Sequence, residues 1–522
     1  TKFIKTLATS SLTDAKWFYI HRDGDEQYIG RIKKGDPGDI AIWNATTGTV
    51  CTVTYPTAVH QDYLSSDTPN IDYDILTVQD TTIITNKTKV VTLQSDPSYT
   101  ANTKATIRLL KVEYGSRYRV KIDSDETDDY VTIFSENPSS TWDGGEQVLN
   151  SDTILDQLVT NIEGLTGWSS TNITRLPSSI ELTSTSAFTI EAIDDQGNEN
   201  LEVFQEQVNN VTDLPNQCTN DRVVKVVNTG ESSEDSYWVK FIASATSGSG
   251  PGYWEETLDP NVSPGLDAST MPHELKNTDV DTFEFGEIPW KDRLVGDNIT
   301  NEQPSFAPKD NETGSVGNTI QQTFLHNNRL GFLTEDNVSI SQAQDYYNFY
   351  YTSATTSTAS DPIDLSCSSV RPAKLHGIIP TAQGLVLFSK NQQFLMYAAD
   401  GILTPATSLI RSLSNYEMDT NIDPVDVGTN INFVSKTPSY TRVFGMQTRG
   451  LEENPIIQDI SRVVSQWMPE TIDSIISSPQ NSLTALYGRA NPDLYLYRVY
   501  NVGKEQMMQS WFRWEMPGNI QF

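Results

Sequence analysis

The sequence has few of the residues that build metal sites and covalent scaffolds. Its 522 residues include 3 cysteines, Cys51, Cys218 and Cys367, which are far apart, odd in number and form no C-x-x-C pair. This pattern argues against a disulfide framework or a zinc site. The 5 histidines are equally dispersed and do not stand at metal-ligand spacing. We therefore interpret His273 and His326 as packed or capping residues and assign no metal ligand.

Long apolar runs and catalytic motifs are also missing. No run approaches the roughly 18 uninterrupted apolar residues of a membrane span. The first residues, TKFIKTL, lack an initiating Met and the apolar core of a signal peptide, so we interpret the chain as a fragment with missing termini. No G-x-S-x-G, H-E-x-x-H, Walker or G-x-G-x-x-G motif occurs. The sequence therefore yields no catalytic or cofactor-binding residue, and we expect no cofactor.

Basic residues are in the minority. There are 36 Lys and Arg against 68 Asp and Glu, which gives a formal net charge of −32 and a pI near 4.4. Such a chain is poorly suited to gripping nucleic acid, because phosphate affinity comes from Lys and Arg. The charge could solvate the exterior, or it could line a channel that lets DNA pass without binding it. Composition leaves both alternatives open.

The chain has length and apolar content enough for several cores. At 522 residues it should hold two or three domains, and 37% hydrophobic residues argue against global disorder. Alternating apolar and polar runs separated by turn residues predict hairpin after hairpin. We predict a mainly β fold, with a β-propeller-like core of antiparallel blades and an inserted α+β domain.

Seven predicted hairpins give about six blade-sized units, since a blade can hold more than one hairpin. The pairs are Trp17–Ile20 with Gln27–Ile32, Ile40–Trp43 with Val50–Tyr55, Ile75–Val78 with Thr82–Thr85, Tyr237–Ile242 with Gly252–Trp254, Gly384–Ser389 with Gln393–Tyr397, Ile431–Ser435 with Thr441–Met446, and Leu483–Tyr487 with Leu494–Tyr500. Residues 258–318 are rich in Pro, Asp and Asn, and we expect a long ordered connection there.

The sequence pattern between the third and fourth of these hairpins predicts the inserted domain. Strands at Thr106–Val112 and Tyr118–Ile122 precede an acidic loop, Asp123 to Asp129. This loop lacks the glycine and closing Glu of a calcium loop, so we do not assign calcium to it. A helix follows, capped by Asn150 or Ser151 and ended by Gly164, with an apolar face formed by Ile154, Leu155, Leu158, Val159 and Ile162. We predict first blades at 1–100, the insertion at 101–220, and the remaining blades and connections at 221–522.

The stretch from Gln322 to Tyr351 has the clearest local pattern. An apolar run opens at Phe324, Asn327-Asn328 favours a left-handed turn, and Leu330–Leu333 and Val338–Ser341 return as strands. The aromatic run Asp345 to Tyr350 ends the unit. We interpret it as core or interface, since aromatic residues dominate both.

Several strings together resemble the nozzle protein family of short-tailed bacteriophages, also called tail tubular protein B. They are NNRLGFL with S-x-A-x-x-YYNFY and Asp361–Asp364, Tyr253–Glu256 with Thr270–His273, Pro304–Phe306, and Gln509–Trp514. Their order and approximate spacing agree with that family across most of the chain.

The resemblance implies a structural subunit of the virion tail and no enzyme. It implies a ring of six copies around the DNA ejection channel, which docks the adaptor ring (tail tubular protein A) and tail fibres. It also implies gating of genome release, contact with the host envelope, and transit of double-stranded DNA without sequence-specific binding. The insertion would help to dock the adaptor. Family members are longer at both ends, so the distal nozzle part is expected to be missing or incomplete.

One alternative from another class stays open. A secreted β-propeller glycosidase or lyase would use a carboxylate pair in a central pocket, and the aromatic runs Tyr346–Tyr351 and Tyr495–Tyr500 could stack sugars. Only fold analogy supports this alternative, and fold does not determine function. For the structural subunit we expect that removing Trp511 and Trp514 impairs folding or ring assembly.

Overall fold

The structure is a computed structural model. It describes residues 7, 14–124, 127–134, 150–194, 197, 199–227, 236–244, 248–309, 314–369, 372–398, 401–428, 430–448, 453–502 and 505–520. This part of the chain is mainly β, as predicted, with two α-helices and short 3₁₀ turns at Ala58–Leu64, Val211–Asp213, Ala268–Thr270, Arg462–Val464 and Pro479–Asn481. Six of its sheets are numbered 1 to 6 below, and three others are lettered A to C.

Sheet 1 comes from the first described strands. β1 (Ala15–His21), β2 (Gln27–Lys33) and β3 (Asp39–Asn44) pair antiparallel in that order, which confirms the first predicted hairpin. The second predicted hairpin forms only next to its turn, where Val50 bridges Trp43 and Cys51 N donates to Ile42 O at 2.8 Å. Beyond this point the prediction is wrong, because β4 (Thr52–Thr54) joins a different sheet. Helix α1 (Pro69–Asp72) then leads into the confirmed hairpin of β5 (Tyr73–Val78) and β6 (Thr81–Asn86).

A segment of twelve strands and one helix follows β6. Its bounds are β7 (Lys104–Leu109), β8 (Arg117–Ser124), β9 (Thr127–Phe134), α2 (Ser151–Glu163), β10 (Ile173–Arg175), β11 (Ser179–Thr183), β12 (Thr189–Asp194), β13 (Leu201–Phe204), β14 (Gln207–Val208), β15 (Gln217–Thr219), β16 (Val223–Val226), β17 (Tyr237–Ala243) and β18 (Ser249–Thr257). They form sheet A (β10-β11-β7-β13), sheet B (β12-β8-β9) and sheet C (β14-β16-β17-β18-β15).

The predicted helix is confirmed as α2. The Asn150 side chain accepts a hydrogen bond from the Asp152 N–H, and Gly164 follows the last turn. Its four residues Ile154, Leu155, Leu158 and Ile162 are buried against sheets A and B, with Val159 partly buried beside them. The hairpin Tyr237–Ile242 with Gly252–Trp254 is also confirmed, but it lies in sheet C with β14 and β15.

Sheet 2 combines strands from both sides of this segment. β19 (His273–Asp279) and β20 (Thr282–Glu287) complete the order β4-β20-β19-β6-β5. β19 pairs with β6, so the chain leaves sheet 2 after β6 and re-enters it at the strand position next to β6. The two ends of the excursion touch, because Gln94 N donates to Gly265 O at 2.9 Å and Ser263 Oγ donates to Gln94 O at 3.0 Å. The stretch 258–318, expected to be a long ordered connection, therefore also contains the two strands of this hairpin, which the sequence did not predict.

Four sheets of four consecutive antiparallel strands follow. Sheet 3 holds β21 (Gln322–His326), β22 (Arg329–Thr334), β23 (Asn337–Ile340) and β24 (Ile363–Ser366); sheet 4 holds β25 (Leu375–Thr381), β26 (Gly384–Ser389), β27 (Gln393–Ala398) and β28 (Ser408–Ser414). Sheet 5 holds β29 (Val425–Asp426), β30 (Ile431–Lys436), β31 (Thr441–Gln447) and β32 (Ile456–Asp459); sheet 6 holds β33 (Ser474–Ser478), β34 (Leu483–Tyr487), β35 (Asp493–Val502) and β36 (Glu505–Glu515). The last three predicted hairpins are confirmed here.

Apolar clusters join each of these sheets to the next. Sheets 1 and 2 share one around Phe18 and Phe285, sheets 2 and 3 one around Ile83 and Phe332. The other pairs share clusters formed by Phe324, Leu333, Leu385 and Phe394 (3 and 4), by Val386, Phe388, Phe433 and Met446 (4 and 5), and by Val434, Val443, Ile475 and Leu486 (5 and 6). Neighbouring residues of one strand, such as Leu385 and Val386, serve opposite faces, as the strand period requires.

Sheet 6 also contacts sheet 1, and we call this contact the 6–1 junction. Arg489, just after β34, donates from Nη1 to Ala15 O at 3.4 Å and from Nη2 to the Asn70 side-chain oxygen. The junction therefore brings the last described sheet back to the first.

Candidate functional site

Three of the strings that carried the family resemblance come together in one packed unit: NNRLGFL with its aromatic run, Pro304–Phe306, and Asp361–Asp364. Phe332 stacks on Phe349 with ring centroids 5.0 Å apart, and Phe306 packs edge-on against both rings. Ser305 binds the Asp364 carboxylate through its backbone N–H at 2.6 Å and its hydroxyl at 2.8 Å. These residues stand at the junction of sheets 2 and 3, so their combination reflects packing rather than a reaction centre.

The turn and glycine of the NNRLGFL string have local physical causes. Asn327 and Asn328 adopt φ of +48° and +56°, the left-handed conformation that Asn tolerates best after Gly. Gly331 lies directly opposite Phe324, whose ring would stand 2.1 Å from a Cβ at this position. Only glycine leaves room for that ring. The predicted strand-turn-strand pattern of this stretch is confirmed.

The predicted histidines are packed residues in the structure. His273 is 1% exposed, stacks on Tyr63 at 4.1 Å, and shares a hydrogen bond between Nδ1 and Met271 O at 2.9 Å. Burial lowers the pKa of His273 to about 4. His326 is half-buried, and burial lowers its pKa as well. Among the described residues no group of three or more His, Cys, Asp or Glu could hold a metal ion.

The lowered pKa of His273 predicts that the folded protein loses stability in acid. Its folded pKa lies below the ordinary 6.5, so its contribution to stability is complete above pH 6.5 and is lost as the pH falls from 6.5 towards 4. The full loss is roughly 3 kcal/mol at most. Replacing His273 by Phe keeps the ring between Tyr63 and Phe285 and should shrink the drop in thermal midpoint between pH 6.5 and 5.

The matched comparison is between the variant and the unmodified chain. His376, with a pKa lowered to about 4 by burial, and the buried carboxylates titrate in both proteins, so their effects cancel in the difference. Parallel midpoint curves for the two proteins over this range would contradict the assignment.

The aromatic runs lie mainly inside the protein. Phe349 and Tyr350 are buried, while Tyr346 is 37% exposed. Tyr495 and Tyr497 are buried in sheet 6. The side chain of Tyr500 and those of the acidic loop Asp123 to Asp129 lie outside the described residues. The described part of either aromatic run therefore presents no row of exposed rings on which sugars could stack.

Five ionisable side chains, on or next to strands of five different sheets, influence one another's titration. We call Lys16, Asp74, His376, Asp423 and Arg489 the inner charge cluster. Asp74 Oδ2 accepts a hydrogen bond from Thr323 N at 2.7 Å, and burial raises its pKa although nearby lysines oppose this. Burial also lowers the pKa of Lys16, against the attraction of Asp423. The cluster therefore balances its charges at the cost of desolvating them.

A cavity of about 510 Å³ lies beside this cluster at the 6–1 junction. Its walls include Lys16, Trp17, Asn70, Asp423, Asp473 and Arg489. Asp473 accepts a hydrogen bond from Arg489 N at 2.6 Å, and Asp423 attracts the Lys16 ammonium. Asp473 thus fixes the connection after β34 within sheet 6, and the protein contacts of both carboxylates favour a structural role over the glycosidase or lyase.

Sequence reasoning missed this cluster. Its members come from strands that lie hundreds of residues apart, and each one is an ordinary polar residue at a strand end. No local motif could have found them, because only the sheet order brings them together.

No helix of the described part is long and apolar enough to cross a membrane.

The fold and the site together define a large acidic β protein of successive antiparallel sheets that pack on one another through apolar clusters. The chain belongs to the bacteriophage nozzle protein family, whose model matches residues 1–522. Proteins of this family are components of the virion tail.

Comparison with individual proteins agrees with this family. The chain is 27% identical to tail tubular protein gp12 of Escherichia phage T7 over 535 residues, covering 99% of this chain and 63% of the relative. It thus spans under two thirds of the length of that relative. Solved structures give weak likenesses. A 6-phosphogluconolactonase candidate from Bacteroides uniformis has a TM-score of 0.28 at 11% identity, over 56% of this chain and 81% of that one. A Lactobacillus plantarum protein has a TM-score of 0.27 at 10% identity, over 58% and 96%. Scores this low carry no conclusion.

Proposed function

We propose that this chain is a structural subunit of a phage tail nozzle that assembles into a ring around the DNA ejection channel. The observation that carries the proposal is the family match over residues 1–522. The packing of Phe306, Phe332 and Phe349 at the junction of sheets 2 and 3 agrees with a subunit that acts mechanically and has no catalytic role.

The six numbered sheets act as the blades of a β-propeller in this proposal. Support comes from their order, since each sheet shares an apolar cluster with the next and sheet 6 contacts sheet 1. The segment from β7 to β18 is the inserted domain. The pairing of β16 to β18 with β14 and β15 favours moving its end from residue 220, the boundary proposed from sequence, to about Thr257.

The ring is proposed to contain six copies and to dock the adaptor ring above and tail fibres at the side. A closed ring uses head-to-tail interfaces, so each subunit presents two different complementary surfaces. The net charge of −32 suits passage of DNA, since acidic walls repel phosphates. The inserted domain is the proposed adaptor contact, and gating of the channel follows contact with the host envelope.

The decisive experiment is the mass of the particle in solution, by native mass spectrometry, with and without the adaptor protein. A particle of about six chains, alone or only with the adaptor, is expected. A monomer in both runs would overturn the proposal, and hydrolysis of polysaccharides by that monomer would favour the glycosidase.

Substitutions of two tryptophans on β36 distinguish effects on folding from effects on assembly. Trp511 packs on Tyr497 at 4.8 Å and donates from Nε1 to Ile460 O at 2.8 Å, which ties sheet 6 to sheet 5. Trp514 is 56% exposed on the same edge strand, close to Phe512. We expect Trp511→Ala to lower the free energy of unfolding by about 3 kcal/mol. We expect Trp514→Ala to leave it unchanged and to weaken the ring.

The readouts are thermal unfolding of each variant and the fraction of assembled particle against concentration. Trp467, 51% exposed after sheet 5, supplies a matched control, since Trp467→Ala removes an equal ring outside the edge strand. Normal assembly of Trp514→Ala would remove β36 from the proposed interface.

A further inference from the structure

The 6–1 junction differs in chemistry from the other five contacts between numbered sheets. Each of those five contains an apolar cluster with buried residues from both partners. None of the clusters formed by the described residues joins sheet 6 to sheet 1. The 6–1 junction holds instead the cavity of about 510 Å³, whose walls mix charged side chains such as Lys16 and Asp423 with apolar ones such as Trp17 and Ile476.

One guanidinium makes the direct hydrogen bonds found across this junction in the described part of the chain. Arg489 of sheet 6 reaches Ala15 O and the side chain of Asn70. Its Nε and the Nε1 of Trp17 are buried without a hydrogen-bond partner among the described residues. Burial lowers the pKa of Arg489, because desolvation disfavours the charged guanidinium. This desolvation offsets part of the attraction between the guanidinium and its hydrogen-bond acceptors. An apolar junction has no such cost.

The path of the chain does not reinforce the junction either. Sheet 2 takes β4 from the chain that follows sheet 1, so these two sheets are tied together by connectivity as well as packing. Sheet 1 contains only residues 15–44 and sheet 6 only residues 474–515. No strand is exchanged between them in the described part, so no backbone ladder crosses the junction.

We propose that the 6–1 junction opens reversibly while the five apolar junctions stay closed, so that sheets 1 and 6 separate like the ends of a split ring. Opening breaks the two contacts of Arg489 and widens a cavity that already lies at this junction. Opening any other junction would break up a shared cluster of buried apolar side chains, which the described residues of this junction do not form. The proposal rests on the blade arrangement proposed above and does not depend on the number of subunits in the particle.

Thiol labelling can measure this opening, with the native cysteines as internal references. Cys51 belongs to the cluster of sheets 1 and 2, and Cys367 to that of sheets 3 and 4. Burial raises the pKa of both thiols to about 12, so they react only when their own junction opens. Ala485 is 6% exposed and stands opposite Ile476, a cavity residue, on the face of sheet 6 turned away from sheet 5.

The experiment is alkylation of the Ala485→Cys variant with N-ethylmaleimide under native conditions, with site-specific rates from mass spectrometry. We expect the new thiol to react about 100-fold faster than Cys51 and Cys367, because it needs only the local opening. Adding Arg489→Ala should raise its rate about 10-fold further and leave the two native thiols unchanged. Arg489→Lys, which keeps a cation, should lie in between.

Arg513→Ala is the matched control, since Arg513 is an exposed arginine of the same sheet and pairs with Asp493 within it. It should change no labelling rate. The proposal is overturned if the new thiol is as slow as the native ones, or if it reacts as fast as an unfolded peptide. It is also overturned if Arg489→Ala speeds all sites equally, since that outcome is global unfolding. Labelling is done on whatever particle forms, so failure here leaves the proposed assembly untouched.

Discussion

Replacing Phe332 by alanine is expected to lower the free energy of unfolding by about 3–5 kcal/mol. Phe332 is fully buried at the centre of the aromatic group at the junction of sheets 2 and 3. Its ring stacks on Phe349 and packs edge-on against Phe306 and Trp290, with centroids 5.0, 5.4 and 5.8 Å away. Alanine would leave a cavity that three large, rigid rings cannot close.

The measurement is urea unfolding, followed separately by tryptophan fluorescence and by circular dichroism because so large a chain can unfold in steps. Tyr346→Ala removes an exposed ring from the same aromatic run and is expected to cost under about 1 kcal/mol. Phe332→Leu should lie between the two. A Phe332→Ala protein as stable as Tyr346→Ala would show that this group does not hold sheets 2 and 3 together.

Arg329→Met is expected to cost about 3 kcal/mol or more. The guanidinium is 5% exposed and donates to the backbone oxygens of Ser341, Asp361 and Ala359, each at 2.8 Å. It thereby fixes both ends of the loop between β23 and β24. Methionine fills the space but leaves three carbonyl groups without this donor, and the two buried ones, of Ser341 and Asp361, stay dehydrated without compensation.

Arg329→Lys retains the charge but cannot reproduce the fork of donors, so an intermediate loss is expected. The matched control is Arg513→Met, which breaks the exposed pair with Asp493 and should change stability by about 1 kcal/mol or less. Proteolysis in the loop that spans residues 341–361 gives a second readout, since the loop should become cleavable in Arg329→Met. Equal stability of the two Met variants would contradict the role of Arg329.

Local patterns predicted the elements that depend on neighbouring residues. The Asn327-Asn328 turn needed only the tolerance of Asn for positive φ, and α2 needed only its apolar period and cap. The hairpins of sheets 3 to 6 followed from strand alternation between short turns. For these elements the signal is local, since the turn residues, the cap or the partner strand lie within about ten residues along the chain.

Elements whose partners are distant were predicted poorly. β4 has only three residues and pairs parallel with β20, more than two hundred residues away, so its alternation pointed to the wrong sheet. β19 and β20 lie in a stretch rich in turn residues, and their burial depends on β6. The inner charge cluster is the extreme case, because Lys16 and Arg489 carry no local sign of the contact that their sheets impose.

The excursion between β6 and β19 begins and ends at adjacent points, where Gln94 and Gly265 share a hydrogen bond. A gene segment coding for such an excursion can be lost, gained or exchanged by recombination without changing the path of the strands on either side. Tails that meet different partners could thus share the same sheets and trade the appended module alone. We expect the nucleotide sequence of related phages to diverge most abruptly at the two borders of this module.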